Sequence, residues 1–245
     1  FSSKAEYLSS LTSKKKNITL AALISTGKDS LFAMYLMQKQ GYGIKCLITI
    51  DSENKDSFMF HTSTIEFAKL QAKALGIPLI IVKTKGKKEE ELKDLEKAIR
   101  EAKEKYGIEG VCSGALYSNY QRDRIEKICE SIGMRAFAPL WQMKQVEYLK
   151  QLLKEKFGVI ITKIACYKLS EEWLGKTVDS EMIAKLEKLE KEIGVNPAGE
   201  GGEYETLVLD MSLFKNKIKI ISSKKEMENE FTGTLVIEKA RLVDK

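Results

Sequence analysis

The stretch LISTGKDSLFAM, residues 23–34, decides how the rest of the chain is read. It closes an apolar run that begins at Ile18, turns through Ser25, Thr26 and Gly27, and opens an amphipathic segment at Lys28, Asp29 and Ser30. A strand that feeds a helix through a small-residue turn starts an α/β unit. The free backbone N–H groups of such a helix start attract anions. Two phosphate-binding fingerprints are excluded. The GxxxxGK[ST] loop needs glycine where Ala22 stands and a hydroxyl residue where Asp29 stands, and no GxGxxG is present.

Working outward, short β-rich runs alternate with helical periodicity. Strands are predicted over 18–24, 44–50, 79–83, 108–112 and 135–138. Between them, apolar residues recur at helical steps: Ile65, Ala68, Ala72 and Leu75; Leu92, Leu95, Ile99 and Ala102; Ile125, Ile128 and Ile132. Gly41, Gly76, Gly107 and Gly133 stand where left-handed helix ends would fall. Near-continuous apolar strands separated by helices predict a parallel sheet covered on both faces. After about residue 140 the order changes. A helix (Val146, Leu149, Leu153), a strand (159–165) and a helix (Ile183, Leu186, Leu189, Ile193) lead into three strand-like pieces at 204–209, 217–221 and 232–238. The expected organisation is a flexible tail at 1–17, a nucleotide-binding domain at 18–141 and a smaller α+β domain at 142–245.

Composition narrows the class. Of 245 residues, 43% are hydrophobic and 31% charged, as in globular proteins, and no apolar run is long enough for a membrane span. Residues 1–17 have no apolar core, so no leader peptide is visible. The net charge of +6 comes from 41 bases set among 35 acids, which favours a Lys/Glu-rich solvated surface over nucleic-acid binding. Cys46, Cys112, Cys129 and Cys166 lie far apart without a CxxC pair. They read as reduced core residues of a cytoplasmic protein.

The turn Ser25-Thr26-Gly27-Lys28-Asp29-Ser30 resembles the SGGxDS signature of PP-loop ATP pyrophosphatases. Gly27 would let the backbone approach phosphates, Ser25 and Ser30 would donate to them, Lys28 would add charge, and Asp29 would hold Mg2+. The plain alternative is an ordinary helix cap. Thr26 departs from the signature's glycine. A β-branched residue disfavours positive φ, so a right-handed or extended backbone is expected there. In an open α/β sheet the ligand lies where strand order reverses. If the first strand is central, the loop SGALYSNYQRDR (113–124) faces the turn. Ser113 and Gly114 would pass close to a nucleotide, while Tyr120, Gln121, Arg122 and Arg124 would meet an anionic ligand. Asp51 ends the second strand, and His61, the single histidine, is counted with the nucleotide-binding residues although a capping role is the commoner one.

A third segment, NPAGEGGEYETLVLD (196–210), adds specificity. With STGKDS, GALYSNYQRDR, APLW (138–141), EEWLGKTVD (171–179) and GTLVIEKARL (233–242), it resembles the diphthine–ammonia ligases over roughly residues 18–242. The resemblance implies a HUP-type PP-loop domain and ATP with Mg2+ as cofactors. It also implies amidation of diphthine on translation elongation factor 2: ATP would activate the carboxylate as an acyl-adenylate, pyrophosphate would leave, and ammonia would attack. Trp141, Glu200, Gly201, Gly202, Glu203, Tyr204, Glu205 and Thr206 would form the substrate end. If 203–206 enters a strand, Glu203 and Glu205 share one face and one or the other serves the ammonium step, while Tyr204 or Trp141 covers the trimethylammonium by cation–π attraction. Structural roles for these acids, a PP-loop tRNA-modifying enzyme, and a non-enzymatic nucleotide-binding module are the alternatives. Oligomeric state and ammonia source are left open.

Overall fold

The computed structural model describes residues 18–52, 65–85 and 90–245. The central strand β1 (Thr19–Leu23) has Leu20, Ala21 and Ala22 fully buried. Its alternation splits the surroundings into two layers. Leu20, Ala22 and Ile24 pack with helices α1 (Lys28–Lys39) and α2 (Ile65–Leu75), whereas Ala21 and Leu23 pack with α3 (Glu90–Tyr106) and α4 (Asn119–Ser131). Both faces are covered, as continuous apolar strands demand. With β2 (Gly43–Ser52), β3 (Leu79–Thr84), β4 (Gly110–Cys112) and β5 (Arg135–Phe137), the sheet runs in the order β3-β2-β1-β4-β5, all parallel. The order reverses between β1 and β4, so the loops after these two strands flank one crevice. Gly41, Gly76, Gly107 and Gly133 all have positive φ, the left-handed helix ends that their spacing suggested.

The chain then forms α5 (Gln145–Lys154), β6 (Gly158–Ala165), a short 3-10 turn (Glu171–Trp173), α6 (Ser180–Ile193), β7 (Tyr204–Asp210), β8 (Lys217–Asn229) and β9 (Thr232–Val243). The second sheet is antiparallel in the order β7-β6-β9-β8. Its apolar side is continuous with the α1–α2 layer: Val159, Ile161, Leu207 and Val208 belong to the same cluster as Phe32 and Met34. We retain the division at Trp141/Gln142 as a proposal; the first sheet ends at Phe137 and α5 starts at Gln145.

β8 runs eight residues beyond the expected 217–221, and β9 also runs longer than 232–238. Residues 222–229 read SSKKEMEN and are almost wholly exposed on an edge strand. With no buried face there is no alternation to read, and edge lysines are how natural sheets discourage further pairing. Cys46, Cys112 and Cys129 are buried free thiols, and burial pushes each thiol up, Cys46 and Cys129 to about 12. Cys166 differs from expectation: it lies one residue past β6 and is half-buried. The expected tail at 1–17 and His61 lie outside the described residues.

Candidate active site

At the turn after β1, the Ser25 N–H donates to Ser30 Oγ at 3.1 Å, and Ser30 Oγ in turn donates to the Gly27 carbonyl at 3.2 Å. The backbone of Thr26 contradicts expectation. Its φ is +67° although the residue is β-branched, and it is 1% exposed. Tertiary bonds hold it there: the Thr26 carbonyl accepts from the Val208 N–H (3.1 Å) and from Gln71 Nε2 (3.0 Å). Gly27, by contrast, is ordinary extended chain (φ −78°, ψ 171°). It is glycine for space: a Cβ would lie 3.3 Å from both the carbonyl and the hydroxyl of Thr206. That hydroxyl accepts the Lys28 N–H at 3.1 Å, so the first N–H of α1 is taken from β7, while Gly27 has no side chain to cap the others. The first turn of α1 therefore keeps its anion-attracting character, reinforced by the dipole.

Lys28 is turned inward, 3% exposed, with Nζ 2.5 Å from the Ala198 carbonyl and 3.0 Å from Asp29 Oδ2. The rings of Tyr204 and Tyr148 lie 5.3 and 6.0 Å from the ammonium. Tyr148 donates its phenol to Asp29 Oδ1 at 2.8 Å. Both phenols are held well above the usual tyrosine range, first by burial and then by the Asp29 charge. The remaining acid, Glu200, is half-buried, and one of its oxygens accepts the Tyr117 N–H at 3.2 Å. Burial, then the nearby Asp29 charge, raise its carboxyl to about 7 against the pull of Lys28.

The loop 196–203 is built differently from expectation. β7 begins at Tyr204, so Glu203 lies outside the strand and does not share a face with Glu205 in the expected way. Glu203 is 9% exposed, and both its oxygens are taken: Oε1 by the Asn196 N–H (3.0 Å) and Nδ2 (2.6 Å), Oε2 by the Gly201 N–H (2.8 Å). It organises the loop, a use to which carboxylates beside free N–H groups are readily put. Glu205 pairs with Lys163 on the neighbouring strand at 3.3 Å. Gly202, at φ +84°, permits the turn before the strand. Gln145 ties the loop to α5 by accepting the Ala198 N–H at 2.8 Å.

On the other side of the crevice, Gly114 packs against the start of α1 and stays partly exposed. A Cβ there would fall 2.6 Å from the backbone of Asp29 and Ser30. Ser113 is buried, its N–H bonded to the Phe137 carbonyl. Ser118 caps α4 through the Gln121 N–H. The arginines find partners within the chain. Arg122 stacks on Trp141 (4.0 Å to the ring centroid) and pairs with Asp123 at 3.1 Å, and Arg124 lies over Tyr120 at 3.4 Å. Both aromatic platforms expected for trimethylammonium, Trp141 and Tyr204, thus already face a cation of this chain. Asp51 sits half-buried at the end of β2.

Asp29, the residue expected to hold Mg2+, is engaged within the chain. One oxygen takes Tyr148 and the other Lys28, and the described residues hold no cluster of three ligating side chains. A cavity of about 260 Å3 beside the 3-10 turn and α6, lined by Lys168, Trp173, Lys176 and Leu189, shares no residue with this cluster. Two residues escaped the reading of the sequence. Tyr148 was hidden in a helix noted for its aliphatic face. Gln71 stands three residues after Ala68 on the buried stripe of α2, and a polar residue on such a stripe is the signal that would have found it.

A doubly wound parallel sheet with a charged phosphate-type turn at its switch point defines a nucleotide-binding α/β protein. Family models place it further. The diphthamide synthase N-terminal domain matches residues 18–136 and the diphthamide synthase C-terminal domain matches 145–243. Proteins named diphthine–ammonia ligase are similar over most of this chain. The mouse protein is 37% identical over 229 residues, 86% of this chain and 85% of its own, and the human protein is 35% identical with 84% of each covered. The Saccharomyces cerevisiae protein is 31% identical over 80% of this chain but only 33% of its own length. The chain belongs to the diphthamide synthase family. A solved structure described as a predicted subunit of tRNA methyltransferase from Methanocaldococcus jannaschii aligns with a TM-score of 0.42 at 20% identity, covering 80% of this chain and 98% of that one. Likeness at that level decides nothing about function.

Proposed function

We propose that this protein is an ATP-dependent diphthine–ammonia ligase acting on translation elongation factor 2 in the cytoplasm. Among the described residues no helix is long and apolar enough to cross a membrane. The observation that carries the reading is the joining of two distant segments: Thr206 accepts the N–H that opens α1, and Ala198 accepts the Lys28 ammonium. The turn after β1 and the loop before β7 are one site.

ATP is proposed to rest its phosphates on the first turn of α1. A carboxylate is a poor electrophile, so amide formation needs a leaving group. The diphthine carboxylate oxygen attacks the α-phosphorus, its bond to the bridging oxygen breaks, and pyrophosphate departs with that electron pair. Ammonia then displaces AMP from the acyl carbon. In this reading Lys28 exchanges its Ala198 contact for a phosphate oxygen, and Arg122 on the helix after the β4 loop serves as a second cation. Glu200 is assigned the ammonium step in place of Glu203 and Glu205. It faces the cluster with an oxygen not committed to the loop, and it is poised near neutrality to take the proton that makes ammonia nucleophilic. Magnesium, if it enters with ATP, would have to rely mainly on phosphate oxygens.

The test is incubation with ATP, isotopically labelled ammonium and elongation factor 2 carrying diphthine, followed by mass measurement of the factor and chromatography of the nucleotide. Label in the factor together with AMP is expected. ADP as the product that depends on the factor overturns the adenylation reading. In a parallel incubation with tRNA in place of the factor, nucleotide turnover that depends on the tRNA would point to the tRNA-modifying alternative, and nucleotide binding without any product to a binding module.

A further inference from the structure

Gln71 on α2 is 0% exposed, and its Oε1 has no hydrogen-bond partner among the described residues. Its Nε2 donates to two carbonyls at once, Thr26 at 3.0 Å and Val208 at 2.9 Å. Two acceptors facing one amide fix which end is the NH2. The Val208 N–H closes the arrangement by donating to the same Thr26 carbonyl at 3.1 Å. One side chain on α2 thus joins the other contacts between the turn after β1 and strand β7, two pieces far apart in sequence.

The object held is a strained one. Thr26 takes a positive φ that a β-branched residue resists, and its buried hydroxyl has no hydrogen-bond partner among the described residues. Nothing local stabilises that backbone, so its surroundings must. The direct consequences are visible on either side. The Ser25 N–H reaches Ser30 Oγ, and the chain re-enters extended geometry at Gly27, which starts α1 with its first N–H on Thr206. If Thr26 relaxed to an ordinary conformation, the turn would open and the start of α1 would lose its aim.

We infer that Gln71 is a positioning residue for nucleotide binding: through the Thr26 and Val208 carbonyls it holds the turn after β1 in the left-handed shape that presents the start of α1 to phosphate. This goes beyond the reaction proposed above and asks only that the turn bind a nucleotide. Two roles are separable. A residue that merely staples α2 to β7 is needed whatever stands at position 26. A residue that offsets strain at position 26 becomes dispensable once glycine, which adopts positive φ freely, stands there.

The experiment measures dissociation constants for ATP by calorimetry, without the second substrate, together with melting temperatures. Gln71→Leu removes both donors at similar volume. It is made in the natural chain and in a Thr26→Gly background. In the natural chain the dissociation constant should rise about tenfold, the factor that strain of this kind imposes when released. In the glycine background the same change should cost less than about threefold, even if the loss in melting temperature is the same in both. Equal losses of affinity in both backgrounds, or no loss in either, overturn the proposal. So does failure of Gln71→Leu to fold in both, since Gln71 would then be a core polar residue only. A natural chain that binds ATP but does not amidate the elongation factor would refute the proposed function and leave this test intact.

Discussion

Glu200→Gln removes a charge from the crevice while keeping the shape of the side chain and an oxygen for the Tyr117 N–H. In the folded protein the carboxyl is raised from the ordinary 4.5 to about 7, by burial first and by the Asp29 charge second. The native state therefore binds a proton that the unfolded chain has released. This contribution to stability is fully present below about pH 4.5 and is lost as pH rises through 7. The rise is equivalent to about 3 kcal/mol, and solvent at the half-buried end trims it to about 2 kcal/mol. Glutamine never ionises. The variant should match the natural protein near pH 4 and exceed it by about 2 kcal/mol at pH 8, a gain of several degrees in melting temperature for a chain of this size. Denaturant unfolding across that range measures the difference. In the same variant, pyrophosphate exchange into ATP with diphthine present should persist, while amide formation falls by about 100-fold, a common loss for a removed general base. A variant destabilised at every pH, or one whose stability difference does not grow between about pH 5 and pH 8, would refute the reasoning.

Asp29→Ala leaves Lys28 buried without its carboxylate, so it should lower stability by about 2 kcal/mol as well as turnover, seen as a lower denaturation midpoint without nucleotide. Gly114→Ala drives a methyl into the backbone of Asp29 and Ser30 and should cost about 1–3 kcal/mol, with weaker ATP binding by calorimetry, because it displaces the start of α1. A thiol reagent applied to the folded protein should label Cys166 alone among the four cysteines, and peptide mapping reads which one reacts.

A parallel sheet was legible because its strands are apolar on both faces, but the central place of β1 entered the sequence reading only as a condition, which the order β3-β2-β1-β4-β5 meets. The glycines at 41, 76, 107 and 133 were readable because each ends a helix, a local event with a local signature. Thr26 was misread for the opposite reason. Its conformation is set by Gln71 and Val208, which lie 45 and 182 positions away in sequence. Glu203 shows the same limit at short range. Side-chain alternation puts it on a strand face, but the free N–H groups of Asn196 and Gly201 offer its carboxylate a better arrangement. Arg122 and Arg124 looked unpaired at a helix start because Trp141 and the ring of Tyr120 do not register as partners in a charge pattern.

The bonds from β7 to the turn also bear on the order in which the protein is made. The sheet β3-β2-β1-β4-β5 is complete once Phe137 has been synthesised, yet the Lys28 N–H awaits a hydroxyl 178 residues further on. Contacts of such separation form late, after the loop between them has been closed. On the proposed reading, a nascent chain that has made all five parallel strands would still lack the shaped turn, and would engage the cell's ATP only after its second sheet arrives. A ribosome-stalled chain ending before Tyr204 should bind no nucleotide, whereas one stalled after Val243 has emerged should.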